Sequence, residues 1–258
     1  MIGVVRPRSL NILLGGLAVL AAGFAVWAMA PGPAADGGRA RPALALFSTL
    51  PLYWGEAADL PAMVNGRQEP HWARALIEEK RPLTPVDVLS GDSLAPFADL
   101  LMAQPRALAP AENVALDDWV RGGGHLLLFA DPMLTAHSAF AIGDRRRPQD
   151  VVLLSPILGR WGLRLEFDQD QPLGERKVEL LDVPVPVDLP GRFSLAATAP
   201  DAPAACKLLG GGVAADCRIG TGRAFILADA ALLDGEGSDS ATREAALSRI
   251  LAEAYRAD

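Results

Sequence analysis

Beyond residue 42, short apolar runs alternate with amphipathic segments, and this alternation predicts strands and helices in turn. Four apolar runs predict strands in the first half of this region: Ala43–Ser48, Val86–Leu89, Ala98–Ala103 and His125–Ala130. Helices are predicted over His71–Lys80, which follows Pro70, and from Pro110 to Gly122. Strands that alternate with helices through short links indicate a parallel sheet covered by helices.

The segment from Pro110 to Ala130 carries the clearest local signals. Pro110 suits the first turn of a helix, and Glu112 favours the positive end of the helix dipole. An apolar stripe at helical spacing follows, formed by Ala115, Leu116, Trp119 and Val120. Because Gly122–Gly124 precedes a strand, we interpret these glycines as a helix stop and turn and not as a phosphate-binding loop.

The pattern becomes richer in β-structure from about residue 162. A helix is predicted at Val151–Trp161, and an amphipathic helix over Thr242–Arg256 closes the chain. Between these helices six short runs, separated by several prolines, predict strands: Arg164–Phe167, Lys177–Leu181, Phe193–Ala197, Cys206–Leu209, Val213–Ile219 and Arg223–Leu227. We therefore predict one α/β body over residues 43–258, with antiparallel strands extending its sheet.

A continuous apolar segment near the N-terminus predicts a transmembrane helix. Leu10–Ala30 supplies 21 residues without a charge, and about 20 apolar residues are enough to cross a bilayer. Arg6 and Arg8 precede the segment, so by the positive-inside rule residues 1–9 stay in the cytoplasm and the body lies outside. The alternative is a cleaved signal peptide. The length of the run and the proline after Ala28–Ala30 favour a retained signal anchor.

Composition and charge narrow the class of protein further. Residues 31–42, rich in Pro, Gly and Ala, predict a flexible tether. The first 42 residues hold four arginines and one aspartate, which gives them a net charge of +3. Because the whole chain has a net charge of −7, the remaining residues carry −10. An acidic body is a poor match to a phosphate backbone, so we expect no nucleic-acid partner. With 50% hydrophobic residues, the chain is neither disordered nor fibrous.

The two cysteines, Cys206 and Cys217, flank a predicted turn at Gly210–Gly212. If the strands on either side pair as a hairpin, the two thiols could face each other, and an exported domain would permit a disulfide. Because strand register cannot be read from the sequence, bonded and free thiols both remain open. Two cysteines at this spacing do not make a metal site.

Two aspartates directly follow predicted strands. Asp131 comes after LLLFA and Asp229 after AFILA, which places both at the edge of the sheet where open α/β sheets bind ligands. Converging carboxylates could hold a metal or act as acid and base, with His137 as a third member. The interpretation we favour is that each aspartate caps the following turn. No His or Cys spacing supports zinc, so we predict no metal and no cofactor.

Two further groups are candidate ligand contacts. Tyr53 and Trp54 follow the first strand and could form a binding lip, although burial beneath the sheet is the alternative we favour. One basic cluster interrupts the acidic body: Arg145, Arg146 and Arg147. This cluster could hold a carboxylate, a phosphate or lipid headgroups. The alternative, which we favour, is an exposed loop paired with Asp144 and Asp150.

Residues Gly91–Leu94 spell GDSL, a motif in which the serine of a hydrolase family is the nucleophile. In that family a later Asp-x-x-His supplies the base. The histidines here are His71, His125 and His137, and the family's oxyanion asparagine has no counterpart. We therefore interpret the motif as a turn.

The stretch Ala103–Pro132, AQPRALAPAENVALDDWVRGGGHLLLFADP, resembles the extracytoplasmic domain of the GldG-like proteins, an uncharacterised ABC-type transport system family. The shared features are a strand ending in -QPR-L, a helix ending in -DWV--GG- and a strand ending in -FADP. The resemblance implies a flavodoxin-like, glutamine amidotransferase-like three-layer α/β sandwich with ABC permease and ATPase subunits as partners. An amidotransferase needs a nucleophilic cysteine on a strand-to-helix elbow, which neither cysteine provides.

Together these patterns predict a single-pass protein of a bacterial inner membrane with a periplasmic α/β domain that is not an enzyme. By resemblance, it would be an accessory or substrate-binding component of an ABC-type transport system. The sequence has no Walker A pattern, so transport would require other chains. Two alternatives stay open: a hydrolase or metal-dependent enzyme that uses Asp131 and Asp229, and a structural protein of the cell envelope.

Overall fold

A computed structural model of the protein describes residues 42–56, 70–198, 203–234 and 239–256. The predicted cytoplasmic terminus (1–9), the membrane segment (10–30) and all but the last residue of the tether lie outside these ranges. Within them, every helix falls short of the length and apolar character that a bilayer crossing needs.

The described ranges contain eleven strands and five α-helices. The strands are β1 (Leu44–Ser48), β2 (Leu83–Pro85), β3 (Asp99–Ala103), β4 (His125–Phe129), β5 (Leu163–Glu166), β6 (Arg176–Leu180), β7 (Val183–Val187), β8 (Arg192–Leu195), β9 (Ala204–Leu209), β10 (Ala214–Ile219) and β11 (Gly222–Leu227). The α-helices are α1 (Trp72–Glu78), α2 (Gly91–Leu94), α3 (Pro110–Arg121), α4 (Ser155–Arg160) and α5 (Ser240–Ala254). Short 3₁₀ helices cover Gly210–Gly212 and Ala231–Leu233.

Seven strands form one sheet in the order β2-β1-β3-β4-β11-β10-β9. The first five strands in this order run parallel. Strands β10 and β9 then continue the sheet in antiparallel pairs. Two antiparallel ribbons, β5–β8 and β6–β7, stand apart from the main sheet. The prediction of a mixed α/β fold with a largely parallel sheet is confirmed.

Helices cover both faces of the main sheet because its central strands are apolar on both sides. Alternate residues of a strand point to opposite faces, and β1 shows the consequence. Leu46 belongs to the core cluster that contains residues of α1 and α5, whereas Phe47 belongs to the cluster with α2, α3 and α4. Strands of this kind form continuous apolar runs in the sequence, which is why β1, β3, β4 and β11 could be predicted.

Helix α3 begins and ends where the sequence predicts. Pro110 is its first residue, and Glu112 accepts a hydrogen bond from the backbone at the helix start at 2.9 Å. Arg106 pairs with Glu112 at 2.7 Å and holds the pKa of that carboxyl group down to about 2. The helix ends at Arg121, with Gly122 as its C-cap. The pair of Arg106 with Glu112 therefore ties the loop after β3 to the start of this helix.

Two strands that contain proline are misplaced or missed by the sequence analysis. The prediction of a strand at Val86–Leu89 is wrong, because the residues that pair with β1 are Leu83–Pro85. Strand β7 is absent from the prediction, which treats Pro184 and Pro186 as breaks. Both strands are at an edge, since β2 pairs only with β1 and β7 only with β6. A residue without an N–H group is tolerated there because no ladder bond is required on the open side.

Two further predictions of local structure need correction, one of a turn and one of a helix. Gly91–Leu94, predicted as a turn, is the short helix α2, since Ser90 and Ser93 cap each other. The Ser93 hydroxyl accepts from the Ser90 backbone N–H at 2.9 Å and donates to the carbonyl of Val88 at 2.7 Å. The helix predicted at Val151–Trp161 extends only over Ser155–Arg160.

The structure joins Cys206 and Cys217 in a disulfide bond. The two residues lie directly opposite each other on β9 and β10, which decides between the alternatives that the sequence leaves open. Cys217 is fully buried in the core. The bond therefore fixes the register of the outermost strand of the sheet.

Reduction of this disulfide is expected to lower the free energy of unfolding by about 3 kcal/mol, because the bond closes a short loop in the unfolded chain. Urea unfolding with and without a reductant measures the loss. A double variant with Cys206→Ala and Cys217→Ala serves as control and should no longer respond to the reductant. Equal stability of the wild-type chain in both conditions would contradict the expectation.

Candidate functional site

Asp131 and Asp229 lie side by side at the carboxyl edge of the parallel strands. Phe129, at the end of β4, is paired with Leu227, at the end of β11. Each aspartate follows its strand by the same number of residues. The sequence therefore predicts their placement at this edge correctly.

Both carboxylates point into the protein and bind backbone groups. The oxygens of Asp131 accept from the N–H groups of Met133 at 2.8 Å and Ala230 at 3.0 Å. The oxygens of Asp229 also accept two backbone N–H groups, one of them from Asp188 at 3.0 Å, on the loop after β7. The arrangement is the one that the capping interpretation expects. It also joins the ends of β4, β7 and β11.

Burial makes these carboxyl groups unusually weak acids. It raises the pKa of Asp131 to about 6, and the nearby charge of Asp188 acts in the same direction. Burial raises the pKa of Asp229 well above its usual range, and the charge of Asp131 adds to this effect. Two neighbouring carboxylates in a low-dielectric site do not both ionise readily. Asp229 therefore keeps its proton at pH values where an exposed aspartate has lost it.

The stabilising effect of Asp131 is expected to decrease as the pH rises. The unfolded chain loses the proton of this carboxyl group near pH 4, whereas the native chain keeps it up to about pH 6. The stabilisation that the protonated carboxyl group provides is full below about pH 4 and is lost as the pH rises through the native pKa, by about 3 kcal/mol in total. Unfolding free energies from pH 4 to pH 8 should therefore fall more steeply in the wild-type chain than in Asp131→Asn.

Asp92→Asn is the matched control for this pH series, because Asp92 is exposed on α2. Its curve should run parallel to that of the wild-type chain. If the curve of Asp131→Asn also ran parallel to the wild-type curve, Asp131 would not titrate as proposed.

Gln104, directly after β3, connects the end of that strand to the backbone of the loop after β4. The sequence analysis does not identify this role. Its side-chain amide donates to the carbonyls of Asp131 at 3.0 Å and Gln149 at 2.8 Å, and its side-chain oxygen accepts from the N–H of Asp131 at 2.9 Å. Gln104 is fully buried and has a φ of 43°, in the left-handed region. Its position directly after a wholly buried strand is the signal that could have revealed it.

An open cleft of about 290 Å³ lies beyond the carboxyl ends of β1 and β2. We name it the aromatic cleft, and its aromatic and charged lining residues are Tyr53, Trp54, Phe140, Glu56, Asp87 and Arg146. Trp54 is 73% exposed, so the favoured prediction that it is buried is wrong. The loop after β1 turns its indole outward, while the Tyr53 ring is half-buried beneath the Arg74 guanidinium, which lies 3.9 Å from its centroid.

A second cavity, of about 210 Å³, adjoins the aromatic cleft and shares Leu50, Pro51 and Glu56 with it. His71 and His137 line this cavity. Burial lowers the pKa of His71, whose Nδ1 accepts from a backbone N–H as the N-cap of α1 at 3.2 Å.

The two buried aspartates and His137 are not assembled into one metal site. Asp131 and Asp229 bind backbone groups in the interior, whereas His137 lines the second cavity. In the part of the chain that the structure describes, no group of three or more His, Cys, Asp or Glu side chains is arranged to hold a metal ion.

The three consecutive arginines separate in the structure. Arg146 binds Asp144 through two nitrogens, at 2.7 and 3.1 Å, and stacks on Phe140, with 4.2 Å between the guanidinium carbon and the ring centroid. Arg147 pairs with Asp150 at 3.0 Å, and Arg145 is exposed. The pairing with neighbouring aspartates matches the interpretation favoured from the sequence. Of the three arginines, Arg146 is the one that lines the aromatic cleft.

Comparisons with known proteins assign no family to the chain. No family model matches it, and no curated protein does. Distant likenesses to solved structures exist. The exo-β-1,4-mannosidase Op5Man5 from an Opitutaceae bacterium is 15% identical over 84% of this chain and 36% of its own, with a TM-score of 0.47. This chain thus spans about a third of the mannosidase.

Two smaller structures are similar over nearly their whole length. The mmIFT52 N-terminal domain is 11% identical over 83% of this chain and 97% of its own, with a TM-score of 0.49. A ThuA-like protein from Bacteroides uniformis is 12% identical over 87% and 94%, with a TM-score of 0.46. None of these likenesses assigns an activity to the chain.

Proposed function

We propose that this chain is a membrane-anchored, extracytoplasmic ligand-binding domain that carries out no chemistry and serves an ABC-type transport system as accessory or substrate-binding component. The aromatic cleft is the observation that carries the binding role. It is open, lies at the carboxyl edge of the sheet, and combines aromatic with charged side chains. Binding pockets in α/β proteins have this place and this mixture of groups.

The order of the parallel strands supports both the finer fold and the position of the site. The order β2-β1-β3-β4-β11 corresponds to 2-1-3-4-5, the order of flavodoxin-like doubly wound sheets. In such sheets the direction of winding reverses between the first and third strands, and ligands bind outside their carboxyl ends. The loop after β1, which contains Tyr53 and Trp54, lies at this point.

The state of the carboxylates supports binding over catalysis. A general acid or base must come within hydrogen-bond reach of its substrate. Asp131 and Asp229 are at most 2% exposed, and their oxygens accept backbone N–H groups. The observation that favours the alternative, an enzyme that uses these two aspartates, is their raised pKa values, because perturbed pKa values are frequent in active sites.

The disulfide and the apolar N-terminal segment support a place outside the cytoplasm. Disulfide bonds persist in oxidising compartments and are rare in the cytosol. Cys206 and Cys217 are bonded in the body of the protein, and Leu10–Ala30 would anchor that body to the membrane.

Affinity purification of the tagged full-length chain from membranes in a mild detergent, followed by mass spectrometry, tests the transport role. We expect a permease and an ATPase in stoichiometric amounts, and neither from cells that carry the untagged chain. Recovery of the chain alone would overturn the transport role. An enzymatic activity that Asp131→Asn abolished in a chain that remains folded would favour the alternative.

A further inference from the structure

Two of the rings that line the aromatic cleft already lie against guanidinium groups. The Arg74 guanidinium lies over the Tyr53 ring, 3.9 Å from its centroid, and that of Arg146 lies over the Phe140 ring at 4.2 Å. Aromatic faces attract positive charge through their quadrupole, and tryptophan does so most strongly. The Trp54 ring, which meets Tyr53 edge-on at 71° and 4.7 Å, is largely exposed at the cleft.

The charge around the cleft favours a cation as well. Glu56 and Asp87 line it, and the one lining arginine, Arg146, is bound through two nitrogens to Asp144. Among the charged residues that line the cleft, the two carboxylates therefore outnumber the one guanidinium, in a body whose net charge is strongly negative. This balance of lining charges favours a cation over an anion.

We propose that the aromatic cleft binds a small organic cation, an alkylammonium or quaternary ammonium group, with Trp54 as the main contact. Aromatic faces combined with carboxylates are the usual receptor for such groups, because the ring attracts the cation without requiring hydrogen bonds. The volume of about 290 Å³ suits a compact ligand. This inference rests on the proposed binding function and names the class of ligand.

Fluorine NMR of the full chain with fluorotryptophan tests the proposal. The chain contains five tryptophans, and the signal of Trp54 is identified by its loss in Trp54→Leu. Choline is the probe, in a maltoside detergent that carries no ammonium group. We expect a saturable shift of the Trp54 signal in the millimolar range, smaller at high salt, and no such shift with the neutral isostere dimethylbutanol or with acetate.

Variants assign the effect to the cleft. Trp54→Leu should weaken choline binding, followed by ligand NMR, about fivefold or more. Asp87→Asn should weaken it less, because Asp87 is exposed. Leu173→Ala is the control, since Leu173 is 85% exposed and does not line the cleft. Urea unfolding of each variant confirms that it is folded.

Several results would overturn the proposal: a shift of equal size with dimethylbutanol, a preference for acetate, or no shift of the Trp54 signal even at hundreds of millimolar choline. Retained binding in Trp54→Leu would also contradict it. These outcomes are separate from the transport role. If choline fails while permease and ATPase are recovered with the chain, only the ligand class is wrong. If choline binds while the chain is recovered alone, only the transport role is wrong.

Discussion

Replacement of Gly222 by alanine is expected to lower the free energy of unfolding by about 4 kcal/mol or more. A Cβ atom at this position would lie 1.9 Å from the carbonyl oxygen of Val120 and 2.5 Å from that of Gly124. Both neighbours are backbone atoms, so no side-chain rotation can relieve the overlap. The first residue of β11 would have to move away from the end of α3, although β11 is a central strand.

Gly159→Ala is the matched control for this prediction. Gly159 lies in α4, and a Cβ atom there would meet nothing within 4 Å. Alanine is the better helix former, so this variant should gain roughly 0.5 to 1 kcal/mol. Urea unfolding followed by circular dichroism measures both changes. A loss of less than about 1 kcal/mol in Gly222→Ala would show that α3 and β11 do not pack as closely as described.

Gln104→Ala is expected to cost about 4 kcal/mol of unfolding free energy, because three hydrogen bonds to the backbone, two of them fully buried, are lost at once. The backbone groups of Asp131 and Gln149 would be left without the amide that joins them. The substitution should also alter the site, since the loop after β4 supplies the residues next to the aromatic cleft. Urea unfolding measures the stability, and the Trp54 fluorine signal reports on the cleft.

Gln104→Gly provides the internal control. It also removes the side-chain amide, but it tolerates the left-handed backbone conformation, so comparison with alanine separates the loss of the hydrogen bonds from the backbone strain. The φ of 43° is strained for alanine and costs glycine nothing, so glycine should be about 1 kcal/mol more stable than alanine at this position. Glycine is ordinarily the less stable of the two. An alanine variant as stable as the wild-type chain would contradict the role assigned to the amide.

The sequence predicts those parts of the fold that depend on residues close together in the chain, such as the residues at helix ends and the continuous apolar runs of buried strands. Helix α3 has a proline at its start and a glycine after its end, and the strand that follows is buried on both faces. Strand β7 could not be found in this way. Its prolines are acceptable only because β7 lies at an edge, and edges depend on how distant segments assemble.

For the candidate site, the sequence predicts where the residues lie along the edge of the sheet but not which way their side chains point. A strand of five apolar residues followed by an aspartate places that aspartate at the edge of the sheet. Whether its carboxylate faces solvent or the interior depends on the neighbouring loops. Asp188, which supplies an N–H to Asp229, lies 41 residues away and carries no local signal. Trp54 likewise turns outward because of the path of the loop after β1.

The pairing of β4 with β11 determines when the sheet can be completed. The strand that covers the open side of β4 starts only at Gly222, after both ribbons and the disulfide hairpin have been synthesised. Until then β4, with the sequence HLLLF, is an unpaired apolar edge. Such edges promote aggregation, and contacts between distant segments form slowly. The growing polypeptide therefore carries this exposed apolar edge until β11, which begins at residue 222 of 258, has emerged.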